Sequence, residues 1–332
     1  VYQRVRPQLF KLDPERAHRL TLGLLKLAGA MPPIRSGLRR IFSIPDPKLG
    51  VEAFGLRFAN PIGLAAGYDK NGLAMHGLAS LGFGHLEIGT VTLRAQGGNP
   101  RPRMFRLEED QALINRLGFP NEGVRRLQSR LRHRPRDVVI GINIGKGTDT
   151  PLERAEHDYC FLIEQLHDQA DYFAVNVSSP NTLGLRQLQG RRYLERLLAS
   201  IGTIRAELEG AHDKRIPILV KLAPDLSHPE LADAVAVISE AEMDGIIATN
   251  TTIRRAGLSS SYAEEDGGLS GRPLRDRATQ VIREIDEICS GRLPIIGVGG
   301  IMGSEDARQK LEAGAALVQV YTGLVYRGPG LV

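Results

Sequence analysis

The chain has 332 residues, 42% of them apolar, with 37 glycines, two cysteines, no tryptophan and a formal net charge of +5. The apolar share excludes a disordered chain. Two cysteines are too few for a disulfide scaffold or a cysteine-held iron–sulfur cluster, and scarce aromatics leave few stacking platforms for nucleic-acid bases. The charge is uneven: residues 1–40 hold nine cations (Arg4, Arg6, Lys11, Arg16, Arg19, Lys26, Arg35, Arg39, Arg40) against Asp13 and Glu15, a net +7, while the rest of the chain is −2.

Asp13-Pro14-Glu15 reads as a helix start: a side-chain cap, proline in the first turn and an acid near the positive end of the dipole. Ala17, Leu20, Leu24, Leu27 and Met31 then recur at helical spacing until Gly29 and Pro32-Pro33 stop the pattern. A shorter amphipathic turn over residues 34–42 carries Arg35, Arg39 and Arg40 on its polar side. No run of 18 apolar residues is present, as a spanning helix requires. Lys26 interrupts the one stretch that resembles a signal sequence, and two acids occupy the flank that should be positive. Residues 1–42 therefore read as a basic amphipathic unit. The pattern fits a helix pair on an anionic membrane surface, and equally one packed on its own domain.

From there to residue 332 the pattern changes. Eight short apolar runs, at 62–66, 86–90, 138–143, 172–177, 218–222, 245–249, 295–298 and 317–321, alternate with helix-like segments, among them 159–169, 193–209, 231–241, 276–288 and 304–313. Continuous apolar strands between helices indicate a parallel sheet covered by helices, and eight of them predict an α/β fold, a closed (β/α)8 TIM barrel with an N-terminal helical extension. An open doubly wound sheet is the competing arrangement, but its glycine-rich dinucleotide fingerprint is not convincingly present. Residues 51–58 read as a strand under the barrel, and 91–120 and 251–273 as long loops serving a site. Cys160 and Cys289 read as buried and inert. His157 and His167 are expected to cap helices or face solvent, and no metal-ligand cluster is apparent.

The strand ends carry the chemistry. They read Ala66-Gly67-Tyr68-Asp69-Lys70, Thr90, Asn143, Asn176-Val177-Ser178-Ser179-Pro180-Asn181, Lys221, Thr249-Asn250-Thr251, Gly299-Gly300 and Tyr321-Thr322-Gly323. In a barrel these positions converge on one pocket, and so many polar or glycyl ends exceed what turns require. Gly299-Gly300, a helix starting near Ser304, and Tyr321-Thr322 suit a phosphate held by backbone N–H groups. Asn143 and Asn176 suit the edges of a flavin ring. Lys221 suits either the reduced flavin or a Schiff base. Ser179 reads as a turn residue or, in a dry pocket, a proton-transfer group; no neighbouring histidine supports a Ser-His-Asp triad.

Residues 63–72 (GLAAGYDKNG), Asn115-Arg116-Leu117-Gly118-Phe119, residues 176–181 (NVSSPN) and residues 267–274 (GGLSGRPL) make the chain resemble the dihydroorotate dehydrogenases, most closely their membrane-associated, quinone-using class. The likeness runs from Leu12 to Gly323. It implies one FMN per chain, contacted by Ala66, Gly67, Thr90, Asn143, Asn176, Lys221, Thr249, Gly271, Gly300, Tyr321 and Thr322. It implies a dihydroorotate site formed by Lys70, Asn115, Arg116, Leu117, Gly118, Phe119, Asn176, Asn181, Asn250 and Thr251. Ser179 would take the C5 proton while a hydride leaves C6 for the flavin, giving orotate, and Lys221 falls to the flavin rather than to a Schiff base. The soluble class uses cysteine where Ser179 stands, and Tyr68 replaces a residue that is often leucine or phenylalanine in relatives. Residues 1–42 would form the membrane contact and quinone tunnel, lined in part by His18, Arg106 and Tyr321, with residues 43–332 as the barrel. The implied setting is a monomer on the cytoplasmic face of a bacterial membrane, bound to anionic lipid, with no metal, no nucleic acid and no iron–sulfur partner subunit. Alternatives are an FMN-dependent barrel oxidoreductase acting on another substrate, a flavin-free Schiff-base lyase and a non-catalytic peripheral membrane module.

Overall fold

A computed structural model describes residues 2–332. Its centre is a closed barrel of eight parallel strands: β1 (Ile62–Leu64), β2 (His85–Val91), β3 (Val139–Ile144), β4 (Tyr172–Asn176), β5 (Ile218–Leu222), β6 (Gly245–Ala248), β7 (Ile295–Val298) and β8 (Ala315–Val320). They pair in sequence order, and β8 closes on β1, so the open-sheet alternative is excluded. Each strand matches a run expected from the apolar pattern, because strands covered on both faces need apolar side chains throughout.

Two apolar layers hold the barrel. One lies between strands and surrounding helices and includes Leu64, Leu86, Ile140, Ile142, Val175, Leu198 and Ile282. The other fills the barrel interior with Ala174, Leu219, Ile247, Ile296 and Leu317. Two bulky polar side chains, His85 and Tyr172, share that interior, and glycine at 63 and at 141 makes room: a Cβ at either position would overlap the His85 or Tyr172 ring. Residues 51–58, expected as one strand, form a hairpin of Val51–Ala53 and Leu56–Phe58, turned at Phe54-Gly55 with both residues at positive φ. Phe58 packs on His85 at 5.4 Å and shuts the lower end.

The two long loops are not irregular. Met104–Leu107 and Ala112–Asn115, from the first, pair antiparallel, and Gly268–Gly271, from the second, adds a third strand. Three helices cover the mouth: α1 (Tyr2–Phe10), α2 (Pro14–Ala30) and α3 (Pro32–Phe42). Asp13 caps α2 as expected, its Oδ1 accepting from the Arg16 N–H at 2.9 Å. The structure adds α1, which the Tyr2 hydroxyl ties to the Val325 carbonyl at 2.5 Å. α2 crosses the helix Met75–Ala79 so closely that a Cβ on Gly29 or Gly77 would strike the opposing backbone. Its anticipated apolar face divides: Ala17 is buried, whereas Leu20, Leu24, Leu27 and Met31 are exposed. Two other expectations change. Cys160 is only half-buried, though burial raises its thiol pKa to about 11, which keeps it protonated. His167 is buried rather than solvent-facing.

Candidate active site

A cavity of about 1060 Å³ opens where the strands end. Ser179 and every substrate or cofactor residue expected from the sequence line it except Arg116 and Asn143. Arg116 points away, its guanidinium 2.7 Å from Glu265 and stacked over the Phe105 ring. Asn143 lies one layer below, within the floor.

That floor is a buried polar network the sequence reading missed. At its centre is Glu87 of β2, which is fully buried. Its carboxylate accepts from Lys221 Nζ at 3.1 Å and Asn143 Nδ2 at 2.8 Å on one oxygen. The other oxygen accepts from Gln319 Nε2 at 2.8 Å and the Tyr172 hydroxyl at 3.3 Å. Burial pushes the Glu87 carboxyl pKa up, but the Lys221 charge and the donated hydrogen bonds outweigh it and hold the group below the usual carboxylate range. Beside it, burial lowers His85 to about 4, so that ring is neutral at physiological pH. With Lys221 serving as the counter-charge of a buried carboxylate, the free amine that a Schiff base needs is not provided. The available signal was positional: Glu87 interrupts an apolar strand two residues after His85, hence on the same side of it.

Above the floor the amides organise one another. The Thr90 hydroxyl donates to Asn143 Oδ1 at 2.5 Å, and Asn176 Nδ2 donates to Thr90 Oγ1 at 3.0 Å and Asn143 Oδ1 at 3.1 Å. Asn250 Nδ2 reaches Asn176 Oδ1 at 3.2 Å, and Asn181 Nδ2 reaches Asn115 Oδ1 at 3.2 Å. Each side chain is thus held by neighbours, which lowers the entropy cost of orienting a ligand. Ser179 Oγ accepts from the Asn181 N–H at 3.2 Å, a local turn that leaves the hydroxyl's own proton uncommitted there. Lys70 reaches the Gly67 carbonyl at 2.5 Å. It keeps some exposure through the cavity, yet burial, then the Arg103 charge, lowers its pKa to about 8.

One wall is bare backbone. Gly300 has φ +75°, and a Cβ there would overlap the Arg275 backbone, so only glycine lets the β7 loop pass. Ser270 and Thr322 hydroxyls meet beside it at 2.8 Å.

A second cavity, of about 1210 Å³, lies under α1–α3 and contains the three residues expected of a tunnel, His18, Arg106 and Tyr321. Met104, Leu113 and Tyr321 border both cavities. Burial, then the Lys70 charge, lowers His18 to about 4, leaving it neutral at physiological pH. Its ring meets Tyr68 edge-on at 5.0 Å. The Arg106 guanidinium lies 4.2 Å from the centre of the Phe10 ring and donates to the Phe10 carbonyl at 2.8 Å. A two-arginine clasp secures this roof: Glu15 of α2 binds Arg101 at 2.9 Å and Arg103 at 2.7 Å.

A family model described as dihydroorotate dehydrogenase matches residues 48–332. The chain belongs to the dihydroorotate dehydrogenase family, in its quinone-dependent branch. It is 49% identical over 333 residues to the dihydroorotate dehydrogenase (quinone) of Stutzerimonas stutzeri, covering all of this chain and 96% of that protein. The protein of that name from Burkholderia thailandensis is also 49% identical, with 100% and 95% coverage. Among solved structures, DHODH from Eimeria tenella in complex with ferulenol superposes with a TM-score of 0.90 at 38% identity, covering 98% of this chain and 91% of that one. Its ligand-free type gives 0.87 at 39% identity, with 96% and 91% coverage. No described helix is long and apolar enough to cross a membrane.

Proposed function

We propose that this chain oxidises dihydroorotate to orotate on a resident FMN and passes the electrons to a membrane quinone, a step of pyrimidine biosynthesis. The observation that carries this reading is the pair of adjoining cavities: one at the barrel mouth, set with amides, hydroxyls, lysines and glycine backbone, and one more apolar, under the N-terminal helices, sharing Met104, Leu113 and Tyr321. The barrel-mouth cavity fits a phosphorylated planar cofactor because Gly271, Gly299 and Gly300 leave one wall as bare backbone, while amides and Lys221 form the floor. Gly271, Gly300, Tyr321 and Thr322 would hold the phosphate end; Ala66, Gly67, Thr90, Asn176, Lys221 and Thr249 would hold the ring, with Asn143 bracing Thr90 and Asn176 from below. When bound, FMN would supply a two-electron acceptor.

The chain's own groups do the rest. The Lys70 ammonium pairs with the substrate carboxylate. Asn115, Asn176, Asn181, Asn250 and Thr251 fix the ring amides, and the backbone of residues 117–119 closes the pocket. Ser179 accepts the C5 proton and must release its hydroxyl proton outward, a transfer that a dry, ordered site favours. Lys221 would set positive charge beside the ring of the cofactor and so favour its electron-rich reduced form, and Glu87 holds the lysine in position. On the other side, His18, Arg106 and Tyr321 line the quinone path. Residues 1–42 form the membrane-facing unit and residues 43–332 the catalytic barrel. Leu20, Leu24, Leu27 and Ile41 present apolar surface beside Arg16, Arg19, Lys26 and Arg40, a combination suited to the anionic cytoplasmic face of a bacterial membrane. The reading is tested by anaerobic mixing with dihydroorotate, with the oxidised-flavin absorbance followed. Bleaching, then recovery on adding a quinone, is expected; flavin that stays oxidised would contradict the assignment.

A further inference from the structure

We propose that the end of the barrel opposite the active site carries a binding site for a divalent transition cation of the zinc class, formed by His167, Asp168 and His212. Among the described residues this is the one group of three or more His, Cys, Asp or Glu side chains able to bring ligand atoms within 4.8 Å of one another. The sequence does not suggest it, because the two histidines lie on different helical units. His167 opens the turn that follows the helix Ala155–Leu166, and His212 is the last residue of the helix Arg191–His212. Both units lead into the starts of β4 and β5, whereas the catalytic cavity opens where those strands end.

The protonation of His167 is set by its surroundings. Its Nε2 faces the Lys214 carbonyl at 3.2 Å, and a carbonyl only accepts, so Nε2 carries the hydrogen. In the neutral ring Nδ1 is then a bare lone pair. That atom is buried without a hydrogen-bond partner, in a residue only 4% exposed. An imidazole with one nitrogen tied to a backbone carbonyl and the other free is the arrangement metal-binding histidines adopt. Asp168 Oδ1 lies 3.6 Å from this Nδ1 and 3.8 Å from His212 Nδ1. Two imidazoles and a carboxylate are zinc-class ligands, and ligand atoms around a tetrahedral ion stand roughly 3.3–3.4 Å apart. The two histidine ligand atoms lie within 4.8 Å of each other, so rotation of the exposed Asp168 and His212 side chains toward the fixed His167 ring is what closes the site, with water as the fourth ligand. Two helix C-termini converge there, and their negative dipole ends favour a cation. The Lys214 ammonium is turned toward the Ala170 carbonyl at 3.4 Å. The bound ion would pin the ends of two adjacent barrel helices together.

The test is titration of the full-length protein, as purified, with Zn2+ alone, followed by calorimetry and thermal melting. One equivalent per chain is expected, with Tm raised by about 4 °C at hundredfold excess over the dissociation constant. Mg2+, which prefers all-oxygen shells, leaves Tm unchanged. H212Q and D168N change exposed side chains remote from the cavity. Both should retain wild-type dihydroorotate oxidation while binding Zn2+ at least about tenfold more weakly and losing the visible absorption of a Co2+ substitute. Failure of the wild-type protein to take up stoichiometric Zn2+, or undiminished binding by both variants, would overturn the proposal.

Discussion

The cavity at the strand ends is walled by amides, hydroxyls, glycine backbone and two lysines, whereas the cavity under α1–α3 is walled mainly by Leu9, Phe10, Ala17, Leu25, Leu38 and Phe42. The polar groups of the second, such as His18, are desolvated toward their neutral forms, while the first retains a buried ion pair beneath it. The difference teaches how one barrel serves two reactants. A charged, hydrogen-bonding substrate requires prepaid polar organisation on a rigid floor, and an apolar one requires only a dry passage that adjoins it. The roof is held by helix packing and by Glu15, which the buried Arg103 and the exposed Arg101 clasp together.

Four perturbations sharpen this contrast. Ser179→Ala should slow flavin reduction by dihydroorotate by about 10²–10⁴-fold while reoxidation by quinone is unchanged, as anaerobic stopped-flow can measure. Glu87→Ala strands the Lys221 ammonium and should cost about 3–5 kcal/mol in urea unfolding; replacing both by apolar residues of similar volume should cost less. With Lys70 at about 8, its ammonium persists below that pH and is lost above it. The KM for dihydroorotate should then rise by up to about tenfold per pH unit on the alkaline side, with the quinone KM flat. Glu15→Gln opens the clasp between α2 and the barrel and should raise the quinone KM by roughly 3–10-fold without altering flavin bleaching. Burial raises the Glu15 pKa, but Arg103 and Arg101 prevail and hold it at about 2, below its ordinary 4.5. In the wild-type protein the clasp's contribution to stability is therefore full above pH 4.5 and is lost as pH falls through about 2.

The barrel was legible because strands covered on both faces must be apolar throughout, so eight runs stood out and their polar ends pointed to one site. What the sequence concealed depends on partners distant along the chain. Glu87 acquires meaning only when β5 brings Lys221 and β8 brings Gln319 around it. The strand Gly268–Gly271 exists because it pairs with Ala112–Asn115, a tertiary event with no local signature. Arg116 belongs to a motif that borders the cavity, yet Glu265 and Phe105 draw its side chain outward. The N-terminal pattern located α2 but not its division between buried Ala17 and exposed Leu24, since periodicity reports an apolar face without saying what covers it.

On the proposed function, one cofactor site is served by two separable cavities. Thr21 lines the apolar cavity and is absent from the wall of the one at the barrel mouth, so Thr21→Trp fills the former alone. Anaerobic stopped-flow on this variant should give wild-type bleaching by dihydroorotate and recovery by quinone slowed at least about tenfold. Wild-type recovery in a folded variant whose cavity is filled, or equal loss of both steps, would contradict the account.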